Sequence, residues 1–196
     1  MEIFMKKTKI LTLCECAILL ALSIVLSFVV IWHMPMGGGI TLLSMLPIML
    51  AGLKHGTKWG LITCGVFSAF QLVQGIASGE VFVYCTSWVT ILLVGAFDYI
   101  LPYAALGFSG LAASKNGKFN LIFTNAVFAL LIAFRFVCHF ITGFTIWGQW
   151  APEGMGKYLY SLIYNVQYML PELILTLIGA NIILAAPQMR KFIVSK

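Results

Sequence analysis

Six long apolar stretches, separated by charged residues, glycine and proline, constrain the fold of this chain more than any other feature. A transmembrane helix needs about 20 consecutive apolar residues. Only 9% of the 196 residues are charged, whereas a soluble domain carries about 25%. The sequence therefore predicts an all-α integral membrane protein, a bundle of about six transmembrane helices that forms a single membrane domain over residues 1–196. The predicted segments are 10–32, 40–53, 59–77, 82–113, 119–141 and 158–186.

Two of these segments depart from the expected length. Segment 40–53 is short for a full crossing, and Pro47 within it would allow a break. Segment 82–113 is too long, and we interpret its first part, residues 81–93, as a cap or loop at one membrane surface. The first segment is longer than the apolar core of a signal peptide and no small-residue cleavage site follows it. We therefore expect it to be a helix of the mature protein.

The basic residues predict the orientation, because cytoplasmic loops of membrane proteins are enriched in lysine and arginine. Ten of the twelve basic residues fall on one side of the predicted bundle, so both termini are predicted to be cytoplasmic. The net charge of +6 follows from this asymmetry and does not indicate nucleic-acid binding. The ten residues are Lys6, Lys7, Lys9, Lys54, Lys58, Lys115, Lys118, Arg190, Lys191 and Lys196.

Five polar side chains lie inside the predicted segments, where such groups are costly and usually functional. With a rise of 1.5 Å per residue, Asp98, Arg135 and Glu172 each lie about 26 Å from the cytoplasmic boundary. His139 and Asn165 lie further out. Because the five come from three segments, we expect them to face one cavity that is open to the outside. Arg135 has two possible partners at similar depth, Asp98 and Glu172, and the sequence leaves the choice open.

Aromatic residues cluster at the same depth, around the loop between the fifth and sixth segments. They fit either an interfacial aromatic belt or a stacking wall for a flat, cationic ligand. The sequence shows no nucleophile–base pair, no Walker motif and no metal-binding spacing of Cys or His, so we predict no enzyme, no cofactor and no metal site. The aromatic residues are Trp147, Trp150, Tyr158, Tyr160, Tyr164 and Tyr168.

Several of these stretches resemble one family. RFVCHFITGFTIWGQW (135–150) and YSLIYNVQYMLPE (160–172) resemble the fifth and sixth segments of the thiamine-specific S component of energy-coupling factor (ECF) transporters. LLVGAFDYILPY resembles the fourth segment of that family, and GGGITLLSMLPIMLAGLKHG resembles its first loop and second segment. The resemblance covers most of the chain. It implies a multi-pass subunit of the bacterial plasma membrane that captures thiamine outside and delivers it to a transmembrane T subunit and two ATPase subunits.

The resemblance also implies which residues bind the vitamin. The rings of the vitamin would contact His139, Gly143 and Trp147. Its aminopyrimidine would form hydrogen bonds with Tyr160 and Asn165. The acid and the tyrosine of the fourth segment would be Asp98 and Tyr99. Some family members carry Glu where this chain has Asp98, which leaves the distance from the acid to the ligand open.

Three smaller features of the sequence also bear on function. Ala17 and Ala21 form a small-xxx-small pair, which allows close helix approach in lipid, at the position that S components use to dock on the T subunit. Independently of the resemblance, the loop 33–39 is predicted to act as a lid, because its three glycines permit hinge motion. A first-loop tryptophan of some members has no clear match here: Gly38 aligns near it, with Trp32 or His33 as possible substitutes, and Tyr84 and Trp88 compete for another aromatic position.

Three other functions remain open from the sequence. An S component for a different vitamin would keep the fold and the partners. A small intramembrane enzyme would use Asp98, Glu172 and His139 as acid and base. A structural membrane protein would use the polar groups only to hold its helices together.

Overall fold

Long helices make up most of this chain, in a computed structural model that describes residues 2–35, 37–79, 81–114 and 119–194, with side chains from residue 9 onward. Within those ranges, five stretches are long and apolar enough to cross a membrane. The predicted all-α membrane fold is therefore confirmed. The five stretches are Lys9–Ser27, Thr57–Ser78, Trp88–Ala112, Leu121–Thr145 and Lys157–Ala185.

A short β-hairpin, which the sequence analysis did not predict, follows the first crossing. Helix α1 spans Glu2–Ser27, so it ends before the predicted limit of segment 10–32. Strand β1, Val30–His33, then pairs antiparallel with β2, Gly39–Thr41. A hairpin satisfies part of its own backbone hydrogen bonding, which non-helical backbone at membrane depth requires.

The second predicted segment is divided between this hairpin and a helix of only 11 residues, α2, Met45–His55, which is not among the five stretches long enough to cross a membrane. The predicted segment 40–53 therefore begins in a strand. Pro47 lies in the first turn of α2, where a backbone N–H has no partner within the helix, and α2 has no break at this residue. Gly56, with a φ of +85°, makes the turn into α3, Thr57–Ser78.

The helix of the fourth predicted segment, 82–113, begins later than predicted. Residues 81–87 form a loop with a 3₁₀ turn at Phe82–Tyr84, and helix α4 begins at Trp88. Of residues 81–93, interpreted as a cap or loop, residues 81–87 form a loop, whereas the chain is α-helical from Trp88 onward. Ser87 caps α4 by accepting a hydrogen bond from the Thr90 backbone N–H at 3.2 Å.

Within this crossing the helix widens into a π-helical turn around Asp98. Pro102 explains the widening, because proline has no N–H and its ring clashes with the carbonyl group four residues earlier in an α-helix. That carbonyl group belongs to Asp98. The elements in order are α4 (Trp88–Val94), the π-helical turn (Gly95–Ile100), α5 (Leu101–Ala105) and a 3₁₀ stretch (Leu106–Ala112).

The last two crossings are α6, Leu121–Thr145, and α7, Lys157–Ala185, which pack along each other. Helix α6 extends beyond the end of the predicted segment 119–141, whereas α7 agrees with segment 158–186 to within one residue at each end. A short helix, α8, Pro187–Val194, ends the described chain.

Both ends of the described chain lie at the same end of the bundle. Glu15 of α1 contacts Lys54 Nζ and His55 Nε2 at the end of α2, each at 2.8 Å. Lys54 in turn lies 3.2 Å from the ring centroid of Phe192 in α8. Among the basic residues that predict this side to be cytoplasmic, Lys115, Lys118, Lys196 and the side chains of Lys6 and Lys7 lie outside the described residues.

Small residues let the crossings approach closely at this end. A Cβ atom at Gly60 of α3 would lie 2.3 Å from the carbonyl oxygen of Gly107, so only glycine permits this contact. Close helix packing through small residues is typical of membrane bundles. The apolar core, which includes Phe67, Phe128 and Ile193, fills this half and leaves the hairpin end for polar groups.

Candidate functional site

A cavity of about 260 Å³ lies at the hairpin end of the bundle, between the hairpin, α3, the π-helical turn, α6 and α7. The five polar residues that the sequence places inside the membrane all line it. The structure also brings together at this cavity all seven residues that the sequence analysis assigns to substrate binding: Asp98, Tyr99, His139, Gly143, Trp147, Tyr160 and Asn165.

Asp98 provides the negative charge on one wall of the cavity. The π-helical turn directs its side chain toward α6, where its carboxylate accepts hydrogen bonds from Thr142 Oγ1 and from Trp147 Nε1 at 3.4 Å. His139 Nδ1 lies 3.1 Å from the same carboxylate. Asp98 is 9% exposed. In the described part of the chain it has no ion pair with a lysine or arginine.

His139 is oriented by this contact. Its Nδ1 faces Asp98, so its Nε2 points to the other side of the ring. Nε2 is buried and has no partner among the described residues. The ring lies edge-on to Tyr168, with 6.3 Å between centroids.

Arg135 pairs with Glu172, which settles the choice that the sequence left open. Its Nη1 donates to Glu172 Oε2 at 2.5 Å, and its Nη2 donates to the Tyr103 hydroxyl at 3.1 Å. The other oxygen of Glu172 accepts from the hydroxyl of Thr41, on β2, at 2.7 Å. Asp98 takes no part in this network, which instead ties the hairpin to the buried ion pair.

A polar patch on α7 forms the opposite wall. Asn165 donates from Nδ2 to the Ser161 carbonyl oxygen at 2.9 Å and accepts at Oδ1 from the Tyr168 hydroxyl at 2.8 Å. Gly143 of α6 makes room for this patch, because a Cβ atom there would lie 2.0 Å from Ser161 Oγ. Asn165 thus has internal partners and retains one acceptor lone pair for a ligand.

Aromatic rings surround the cavity on the side of the loop after α6. Tyr84 lies 6.0 Å from Trp147 and 5.2 Å from Trp150, measured between ring centroids. Trp88, the alternative to Tyr84 in the sequence analysis, is 73% exposed. The structure therefore places Tyr84, and not Trp88, against Trp147, which lines the cavity.

Two further tyrosines lie at the same level. Tyr99 stacks on Phe82, with 5.6 Å between centroids and 21° between ring planes. Tyr160 is half-buried, and its ring centroid lies 5.8 Å from that of Tyr164. Both present aromatic surface to the cavity.

The hairpin covers the cavity on the α7 side. The hydroxyl of Tyr164 donates to the carbonyl oxygen of Gly37 at 2.9 Å, and Gly38 lies directly over the ring of Tyr168. Of the two candidates for the first-loop aromatic position, His33 lines the cavity whereas Trp32 is 63% exposed. The proposed lid, residues 33–39, thus lies over the site, although Met36 within it is outside the described residues.

Helix α3 forms a wall of the cavity that the sequence analysis missed. Gln71 and Gln74 line the cavity from this helix, and Thr142 of α6 was missed as well. Glutamine and threonine carry no charge and are less conspicuous in an apolar segment than an acid or arginine. The available signal was the pair of glutamines one helical turn apart in segment 59–77.

Ala17 and Ala21 do not line this cavity and lie on the outer face of α1. Both are exposed, whereas Cys16 and Ser23 of the same helix are buried against the bundle. The pair is therefore available to lipid or to another membrane protein.

The cavity is suited to a flat organic cation. Glu172 and Arg135 form an ion pair, whereas the Asp98 carboxylate has no lysine or arginine partner in the described part of the chain. Aromatic faces attract cations through their quadrupoles, and a buried carboxylate adds a direct partner. Among the described residues no cluster of three metal-binding side chains occurs.

Comparison with known proteins identifies what the chain is similar to. The sequence model of the family described as thiamine transporter protein matches residues 13–193. The thiamine transporter ThiT of Bacillus subtilis is 34% identical over 195 residues, which cover 93% of this chain and 95% of the relative. ThiT of Lacticaseibacillus paracasei is 24% identical over 197 residues, covering 92% and 90%.

A solved structure has the same fold. The structure of ThiT from Listeria monocytogenes superimposes with a TM-score of 0.71, at 22% sequence identity, and the match covers 93% of this chain and 98% of that one. The two proteins therefore share the arrangement of their crossings.

Proposed function

Because the chain belongs to the thiamine transporter family, we propose that it captures thiamine in the cavity beneath the hairpin and passes it to a T subunit and two ATPase subunits that drive import. The chain is a multi-pass protein of the bacterial plasma membrane, and the role of this family is transport and not catalysis. The observation that carries the proposal is Asp98, a buried carboxylate beside aromatic rings in a membrane cavity.

The charge of the cavity supports thiamine as the ligand. Thiamine contains a thiazolium ring with a permanent positive charge, and burial of that charge is unfavourable without a partner. Asp98 supplies the opposite charge, and Trp147 lies within hydrogen-bond distance of it. On this proposal the thiazolium ring binds between Asp98 and the aromatic rings of Trp147 and Tyr99.

The remaining polar groups suit the aminopyrimidine ring. That ring carries an exocyclic amine, which donates hydrogen bonds, and ring nitrogens, which accept them. His139 Nε2 is buried and has no hydrogen-bond partner among the described residues, and Asn165 and Tyr160 line the same cavity. A wrong ring would leave such groups buried without partners, so they favour selectivity.

The energy for import has to come from outside this chain, because its sequence has no Walker motif. The proposed T subunit would dock on the outer face of α1, where Ala17 and Ala21 leave a shallow, apolar surface. Small residues allow close helix contact in lipid. The two ATPases would then drive the reorientation that releases thiamine into the cytoplasm.

Tryptophan fluorescence of the detergent-purified protein during a thiamine titration tests the binding role. We expect saturable quenching at submicromolar thiamine, because Trp147 lines the cavity. Trp147→Ala should remove most of the quenching and weaken binding measured by calorimetry. Trp88→Phe is the matched control, since Trp88 is 73% exposed, and it should bind as the wild type does.

The other outcomes are equally informative. A calorimetric signal with another vitamin and none with thiamine would keep the fold and replace the ligand. No binding of any vitamin would overturn the proposal and favour a structural role for the buried polar groups.

A further inference from the structure

Helix α3 carries a polar stripe on the cavity that the proposed binding mode does not yet use. Gln71, Gln74, Gly75 and Ser78 recur at the spacing of one helical face, and all four line the cavity. Amide side chains inside a membrane segment are costly unless they have a partner. Two of them on one apolar helix therefore indicate a function at the cavity.

Both glutamines have hydrogen-bonding capacity that the described residues do not satisfy. The Oε1 atoms of Gln71 and Gln74 are buried and have no hydrogen-bond partner in the described part of the chain. Gln71 makes one long contact, from Nε2 to the Tyr103 hydroxyl at 3.4 Å. A bound ligand with a hydroxyl group would supply the missing donor.

The position of α3 determines which end of the ligand it meets. Helix α7 packs on α6 and the hairpin, whereas α3 packs on α1, α2, α5 and the π-helical turn, so the two helices lie on different sides of the cavity. Asp98 and Tyr99, on the π-helical turn, lie between them. The Tyr99 hydroxyl reaches α3 itself, since a Cβ atom at Gly75 would lie 2.2 Å from it.

With the aminopyrimidine ring on the α7 side and the thiazolium ring beside Asp98, the hydroxyethyl group of thiamine would extend toward α3. We propose that Gln71 and Gln74 are specificity-determining residues that hydrogen-bond this hydroxyl group. The inference rests on the proposed function, because it assumes thiamine as the ligand.

A comparison of two ligands isolates this contact. The probes are thiamine and the analogue in which an ethyl group replaces the hydroxyethyl group, and the measurement is the Kd of each by calorimetry. For the wild type we expect thiamine to bind about 3- to 10-fold more tightly than the analogue, the effect of one neutral hydrogen bond. In Gln74→Leu, and in Gln71→Leu combined with Gln74→Leu, this preference should disappear.

Two controls separate the contact from general damage. Gln167→Leu makes the same substitution at an exposed residue of α7 and should retain the preference for thiamine. A packing defect on α3 would weaken the binding of both ligands by the same factor and leave the ratio of their Kd values unchanged. Gln74→Met keeps an unbranched side chain without the amide. Like Gln74→Leu, it should bind thiamine and the analogue with equal affinity.

The outcomes distinguish this inference from the proposed function. If the wild type binds thiamine and the α3 variants keep its preference for the hydroxyl group, the assignment to Gln71 and Gln74 is wrong and the proposed function stands. Equal affinity of the wild type for both ligands would also overturn the assignment. If the wild type binds neither ligand, the proposed function itself fails.

Discussion

Asp98 differs from the other buried acid of this chain in what surrounds it. Glu172 is held by Arg135 at 2.5 Å and by Thr41 at 2.7 Å, so its charge is compensated inside the protein. Asp98 accepts hydrogen bonds from an indole and a hydroxyl group, and His139 Nδ1 lies 3.1 Å away. Hydrogen bonds from neutral groups stabilise a carboxylate but leave its net charge available to a cation.

Removal of this charge should weaken thiamine binding. We expect Asp98→Asn to raise the Kd for thiamine about 10- to 100-fold, because interactions with a charged partner contribute about 1.5–3 kcal/mol. Asp98→Glu retains the charge and should bind more tightly than Asp98→Asn. Calorimetry measures both, with the melting temperature as a check on folding. Equal affinity of Asp98→Asn and the wild type would show that Asp98 does not meet the cation.

The ion pair of Arg135 and Glu172 should instead determine stability. Arg135→Met leaves Glu172 charged and buried, which costs about 3–5 kcal/mol when one partner of a buried pair is removed. Adding Glu172→Gln removes the orphaned charge while its amide oxygen still accepts from Thr41. We therefore expect the double variant to melt at a higher temperature than Arg135→Met alone. A double variant that melts lower than the single one would contradict this account.

At the scale of elements, the contact between α6 and α7 builds the site. Gly143 lies where α7 crosses α6, and Ser161 occupies the space that a side chain would need. The hydroxyl of Ser161 also donates to the carbonyl oxygen of Phe140 at 2.8 Å. The close approach of the two helices is thus what holds Asn165 next to His139.

A methyl group at this crossing should separate the helices. We expect Gly143→Ala to destabilise the protein by about 1–3 kcal/mol, the usual cost of overpacking, and to weaken thiamine binding as Asn165 moves. Gly65→Ala is the matched control, because a Cβ atom at Gly65 of α3 meets nothing within 4 Å. Thermal unfolding and calorimetry measure the two effects. Unchanged affinity in Gly143→Ala would show that this contact does not position the site.

The elements also show why part of the structure could be predicted from the sequence and part could not. The long crossings follow from apolar length, because lipid permits few alternatives to a helix. The hairpin could not be predicted from apolar length, because Val30, Ile31 and Trp32 are as apolar as the helix before them. The π-helical turn depends on Pro102 acting on Asp98, which hydropathy does not report.

The candidate site, too, could be predicted from the sequence only in part. Charged residues at one depth predicted the cavity, because burial of a charge is rare without a function. The partner of Arg135 could not be chosen, since Asp98 and Glu172 lie at the same depth and only helix rotation distinguishes them. Gln71 and Gln74 were missed because neutral amides give a weak signal in an apolar segment.

On the scale of the whole molecule, the two proposed activities lie at different places. The cavity is enclosed by the hairpin, α3, the π-helical turn, α6 and α7, whereas Ala17 and Ala21 face outward on α1. No residue of the cavity lies on the exposed face of α1. Binding and coupling to the proposed T subunit should therefore be separable by substitution.

Replacement of either alanine with a large side chain tests this separation. We expect Ala17→Trp and Ala21→Trp to abolish thiamine uptake by cells that contain the full transporter, because an indole would prevent close contact with the T subunit. The Kd for thiamine of each purified variant should stay within about twofold of the wild type, since surface substitutions usually change free energies by less than 0.5 kcal/mol. Uptake of radiolabelled thiamine and calorimetry measure the two quantities.

The matched control is Ile122→Trp, which adds an indole at a residue of α6 that is 82% exposed. Lipid should accommodate this side chain, so both uptake and binding should be retained. Normal uptake by Ala17→Trp and Ala21→Trp would show that the partner docks elsewhere. Loss of binding together with uptake would show that α1 supports the cavity, because the hydroxyl of Ser23 on α1 accepts a hydrogen bond from the Ile48 N–H of α2 at 3.2 Å. Only loss of uptake with binding retained agrees with a docking face that is separate from the binding site.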